Sequence, residues 1–109
     1  MISSTQRDTP VTLHILSASP ADSGLLEQCC EALRDGDTLL LLGEGTRAAW
    51  PGSTYALRLA ELSPGIAIHV LLEDAAARGL REPALRCVTT DYSGFVALAC
   101  AHARSVSWY

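Results

Sequence analysis

Asp35-Gly36-Asp37-Thr38-Leu39-Leu40-Leu41-Leu42, residues 35–42, pairs a helix stop with an unbroken leucine run. A glycine between two aspartates ends whatever helix precedes it. The leucine run that follows shows no polar alternation, as expected of a strand covered on both faces of a parallel sheet. Upstream, Val11-Thr12-Leu13-His14-Ile15-Leu16 is an apolar, β-branched run that reads as a first strand. Between the two, Ser19-Pro20-Ala21-Asp22 offers a capping serine, a proline at the first helical position and an acid three residues after the cap. Leu25, Leu26, Cys29 and Leu33 then recur at helical spacing, which predicts a helix to about Arg34.

Downstream, Gly43-Glu44-Gly45-Thr46-Arg47-Ala48-Ala49-Trp50 reads as a loop with a short helical turn, and Ser53 to Leu62 as a helix carrying Tyr55, Leu59 and Leu62 on one side. Ile66 to Leu72 is another nearly all-apolar strand. Ala75 to Gly79 reads as a short helix closed by glycine, Arg86 to Thr90 as a short strand, Asp91 to Cys100 as a helix capped by Asp91 or Thr90, and Val106 to Tyr109 as an edge strand. Alternating strands and helices joined by right-handed crossovers predict an α/β fold, a mainly parallel sheet of four or five strands with helices on both faces. Ligands in such sheets sit beyond the C-terminal strand ends, here Ser17 to Pro20, Gly43 to Arg47 and Glu73 to Ala75.

At 109 residues the chain is one module, with residues 1–10 expected as a flexible N-terminal extension and 11–109 as a single domain. Hydrophobic residues make up 49% and charged ones 18%, an apolar balance for so small a domain that predicts contact with partner subunits. The formal net charge of −4 removes the electrostatic footprint that unaided nucleic-acid binding requires. Every basic residue is arginine, so no lysine is present for a Schiff base or a phosphate-binding P-loop. No stretch reaches the ~20 apolar residues of a membrane helix, and the N-terminus lacks the pattern of a signal peptide, so a cytoplasmic protein is expected.

Gly43-Glu44-Gly45-Thr46-Arg47-Ala48 fits G-x-G-x-x-A formally. Glu44 puts negative charge where a phosphate would sit and Pro51-Gly52 leaves a stub of helix, so a tight turn is the better reading and no cofactor is expected. His14, His69 and His102 are scattered and the cysteines lack zinc spacing, so no metal is expected either. His14 and His69 read as hydrogen-bonded core histidines, with catalysis beside a thiol as the competing role. The adjacent Cys29-Cys30 is the chemically interesting pair, since a thiolate can carry a transferable sulfur as a persulfide. Helical phase puts Cys29 near the middle of the Leu26/Leu33 stripe and Cys30 toward its edge, which favours burial of Cys29.

The order of Leu13-His14-Ile15-Leu16-Ser17-Ala18-Ser19-Pro20, the 35–42 stretch, Gly45, and Glu73-Asp74-Ala75-Ala76-Ala77-Arg78-Gly79-Leu80, followed by Asp91-Tyr92-Ser93-Gly94-Phe95-Val96 and Trp108, resembles the TusB/DsrH family of sulfur-relay subunits. The resemblance runs over residues 11–109. It implies a DsrE-like three-layer fold and a heterohexamer built from this chain with TusC/DsrF-like and TusD/DsrE-like sisters. It further implies a TusA-like sulfur donor and a TusE/DsrC-like acceptor, serving 2-thiolation of the tRNA wobble uridine or, in DsrH-type members, sulfur oxidation. The main acceptor cysteine of such complexes belongs to a sister subunit, and this chain has Leu71-Leu72-Glu73-Asp74 at that place, so an enzymatic role of its own is open. Leu26-Glu27-Gln28-Cys29 matches the Leu-Glu-x-Cys context of DsrH-type members, which implies Cys29 as a sulfur acceptor with Cys30 as substitute and leaves a purely structural subunit as the other alternative.

Overall fold

The computed structural model describes residues 11–21 and 24–109; the expected extension 1–10 lies outside them. Five strands form one sheet, β1 (Thr12–Leu16), β2 (Thr38–Leu41), β3 (Ala67–Leu71), β4 (Val88–Thr90) and β5 (Arg104–Trp108), in the order β4-β3-β2-β1-β5. Every pairing is parallel. The leucine run is the middle strand, and Leu39, Leu40 and Leu41 are all completely buried. Fully burying a leucine is worth about 2 kcal/mol, so the lack of alternation in this strand reflects two covered faces.

The helices are α1 (Leu25–Ala32), α2 (Thr54–Ala60), α3 (Leu72–Ala77) and α4 (Tyr92–Ala101), with a 3-10 stretch at Gly43–Ala49. The first helix starts later than its sequence signal. The Ser19 hydroxyl accepts from the Ala21 N–H in a local turn, and Gly24 at φ +72° stands in the left-handed region immediately before Leu25, so no α-helix runs through it. The other ends follow their residues. Ser53 caps α2 by accepting from the Ala56 N–H, Asp91 caps α4 by accepting from the Gly94 N–H, and Gly79 at φ +83° closes α3 while the Leu80 N–H bonds back to the Ala75 carbonyl.

The strand order determines which face each helix takes. β1 to β4 step in one direction, so right-handed crossovers put α1, α2 and α3 on the same side of the sheet, and the return from β4 to β5 puts α4 on the other. Core packing agrees. Leu16, Leu39, Leu41, Ile68 and Val70 cluster with Leu26, Cys29, Ala48, Leu59 and Ala75 from the helical side. On the opposite parity Leu13, Leu40 and Leu71 are buried, yet no residue of α4 is, and Tyr92, Val96 and Cys100 stay exposed along it. No helix is long and apolar enough to cross a membrane among the described residues.

Candidate functional site

The C-terminal strand ends hold an ion-pair network. The Glu44 carboxylate bridges Arg47 (2.5 Å) and Arg78 (2.9 Å), and these two guanidinium groups hold it below the usual carboxylate range. Asp74 accepts from the Gly43 N–H at 2.7 Å. Gly45 sits so close to β1 that a Cβ there would lie 2.2 Å from the Leu16 carbonyl oxygen. The donors and the space that a dinucleotide pyrophosphate needs are therefore consumed internally, and the Gly43–Ala48 segment is a tight turn.

His14 belongs to a buried polar chain. Trp108 Nε1–H can only donate, so at 3.2 Å it bonds to His14 Nδ1 as acceptor, and His14 Nε2–H donates to Asp37 at 3.2 Å. Asp37 also accepts from the backbone N–H groups of Thr12 (3.0 Å) and Arg34 (3.1 Å). This joins β1, the approach to β2 and β5 by one carboxylate. Both nitrogens of His14 are engaged, which leaves it no lone pair for a thiol proton.

His69 lies on the opposite face, with Nδ1 2.5 Å from the Thr90 hydroxyl. His102, just past α4, donates from Nδ1 to the Leu98 carbonyl at 2.8 Å and bonds through Nε2 to the Thr38 hydroxyl at 2.9 Å. Burial pushes His69 down from its ordinary value, and the neighbouring His102 adds to that. The sheet separates His69 from Cys29, so neither histidine forms the thiol–base pair that a stand-alone thiol enzyme requires. Among the described residues no group of three or more metal-ligating side chains comes together.

Cys29 points into the helical-side core with no exposed surface, and burial, reinforced by the Cys30 sulfur, pushes its thiol up to about 12. Cys30 is 5% exposed and reaches about 11, where burial outweighs the positive charge of Arg58 and Glu27 and Glu31 oppose that charge. Cys87 is likewise buried and raised to about 11, while Cys100 on α4 is exposed. Arg58, from α2, grips Glu27 of α1 with two hydrogen bonds, Nε to Oε1 at 2.8 Å and Nη2 to Oε2 at 3.0 Å. Sequence spacing missed three participants, Asp37, Arg58 and Trp108. Asp37 read only as a helix terminator, and Arg58 lies 31 residues from the glutamate it holds.

The sequence model of the family described as "DsrH like protein" matches residues 18–105. The chain belongs to the DsrH family. It is 35% identical over 97 residues to Protein TusB of Pectobacterium parmentieri, covering 88% of this chain and 99% of that one. It is 36% identical over 99 residues to Protein TusB of Shigella flexneri, with the same coverage. Among solved structures, the ychN protein from E. coli superposes with a TM-score of 0.76 at 11% identity, covering 92% of this chain and all of that one, which shows that the fold is shared. As a DsrH-family chain aligned with TusB proteins almost end to end, it is a sulfur-relay subunit.

Proposed function

We propose that this chain is the TusB/DsrH-type subunit of a cytoplasmic heterohexameric relay that passes persulfide sulfur toward 2-thiolation of the tRNA wobble uridine. Its partners are TusC/DsrF-like and TusD/DsrE-like sisters, which carry the main acceptor cysteine, a TusA-like donor and a TusE/DsrC-like carrier. The observation that carries this reading is the likeness to TusB proteins over 88% of the chain, together with a ten-residue uncharged helix, α4, none of whose residues is fully buried. An apolar helix left uncovered is the mark of a subunit rather than a free-standing enzyme. Deleting the gene in its host and measuring 2-thiouridine in tRNA tests the destination. A loss restored by the wild-type gene is expected, and unchanged thiolation would overturn it.

The Leu26-Glu27-Gln28-Cys29 context favours a second reading, a DsrH-type subunit in dissimilatory sulfur oxidation. Under it the same deletion leaves tRNA intact and slows sulfur oxidation. Cys29 as acceptor, with Cys30 as substitute, demands that α1 shift, because both sulfurs are packed beneath it; if neither thiol ever carries sulfur, the subunit is architectural.

A further inference from the structure

One side-chain bond ties the end of the outermost strand to the interior. β5 is an edge strand paired to β1, with Val106 opposite His14 and Trp108 opposite Leu16. The Trp108 indole reaches back along the strand to His14, with ring centroids 6.2 Å apart and planes 20° from parallel, and its half-buried body packs against the helical-side core. The Trp108 carbonyl accepts from the Ser17 N–H at 3.1 Å, so the same residue closes the β1–β5 pairing. Tyr109, next in the chain, is exposed.

That side-chain bond tolerates one protonation state of His14. An indole N–H can only donate, so it needs a lone pair on Nδ1, 3.2 Å away, and the lone pair exists only in the neutral ring. With a second ring proton, two N–H groups face each other across that distance. The imidazole cannot swing away, because Nε2–H is held by Asp37, whose carboxylate is itself fixed by the Thr12 and Arg34 N–H groups. Protonation turns the Asp37 contact into a stronger, charged one. The repulsion therefore falls on the indole.

Among the described residues, Asp37 is the charged side chain in contact with His14. On β5, Arg104 is exposed and donates from Nε to the Thr12 hydroxyl at 3.0 Å. On α1, Glu27 is engaged by Arg58, Glu31 is exposed, and burial raises the thiols of Cys29 and Cys30, which keeps them uncharged. Arg34 offers Asp37 its backbone while its side chain is exposed, and His69 and His102 lie on the other face of the sheet.

We propose that the Trp108–His14–Asp37 chain is an acid-released latch on the end of β5, in which a proton taken up from solvent at His14 Nδ1 expels the Trp108 indole. Histidine is the side chain that changes charge between about pH 5 and 8, which makes mild acid the trigger. Once released, Trp108 withdraws from the rim of the core and frees its hold on Ser17, uncovering the outer edge of β1 where the chain leads toward α1. The latch is a property of the folded chain and does not depend on the relay reading.

The chain has two tryptophans, so Trp50→Phe leaves Trp108 as the sole emitter. Lowering the pH from about 8 to about 5 should move Trp108 emission to longer wavelength and raise its quenching by acrylamide, with far-UV circular dichroism unchanged. Adding His14→Gln, which keeps a donor and an acceptor but takes no charge, should abolish both changes. On the isotope-labelled wild-type chain, the Trp108 indole N–H resonance should titrate with the same midpoint as the His14 ring nitrogens. Constant emission in the sole-tryptophan chain overturns the latch, and so does the same shift in the His14→Gln chain or a loss of circular dichroism in step with it. Should His14→Gln fail to fold, the resonances decide, and an indole signal that is silent or follows another midpoint overturns the proposal.

Discussion

The two faces of the sheet are built to different degrees of completion. On the side of α1, α2 and α3, leucines, alanines and Cys29 interlock over Leu39, Leu41, Ile68 and Val70, and even the turn at Gly45 packs directly against the β1 backbone. On the other side lies α4, with Phe95 and Leu98 half-buried and Tyr92, Val96 and Cys100 turned to solvent. The first face is a finished core that gives the chain its fold. The second is left open, and under the proposed function it is the face that sister subunits cover, with the buried thiols of α1 on the other.

Substitutions on the two faces should have very different consequences. Leu41→Ala, in the finished core, should cost about 4 kcal/mol in urea unfolding, because the site is fully buried and tightly surrounded. Gly45→Ala should cost about 3 kcal/mol by the same measurement, since its Cβ would fall 2.2 Å from a backbone oxygen that has little room to retreat. Asp37→Ala should cost about 2 kcal/mol and shift Trp108 fluorescence, because it orphans the Thr12 and Arg34 N–H groups and releases the ring that Trp108 contacts. Val96→Asp on α4 should change unfolding by less than about 0.5 kcal/mol yet abolish co-purification with the sister subunits. A large stability loss there would mean that α4 belongs to the core after all.

The smallest effect concerns pH. His69 has its folded value below its unfolded one, so its contribution to stability is present above about pH 6.5 and is lost as pH falls through the folded value. Thermal unfolding should therefore show a shallow loss below pH 6.5 that His69→Gln reduces, and an undiminished acid limb in that variant would move the cause elsewhere.

Much of this was legible in the sequence because it is local. An unalternated leucine run marks a central strand, Ser53 and Asp91 mark caps, and helical phase separates Cys29 from Cys30 within α1. The start of α1 lies later than the Ser19-Pro20 capping signal predicts, because the left-handed backbone at Gly24 is a matter of tertiary path. That the first three helices share one face follows from strand order, which no local pattern encodes. The site partners were hidden for the same reason. The Trp108–His14 bond spans 94 residues and the Arg58–Glu27 pair 31, and only pairing in the sheet and helix packing bring them together.

Hydrogen exchange of the chain alone and of the chain assembled with its sister subunits tests the asymmetry most directly. Amides of α4 should exchange much faster than those of β2 in the isolated chain and slow at least about tenfold on assembly, while β2 stays as protected as before. Equal protection of α4 in both states, with the change falling on α1 and α2, would contradict an interface on the α4 side.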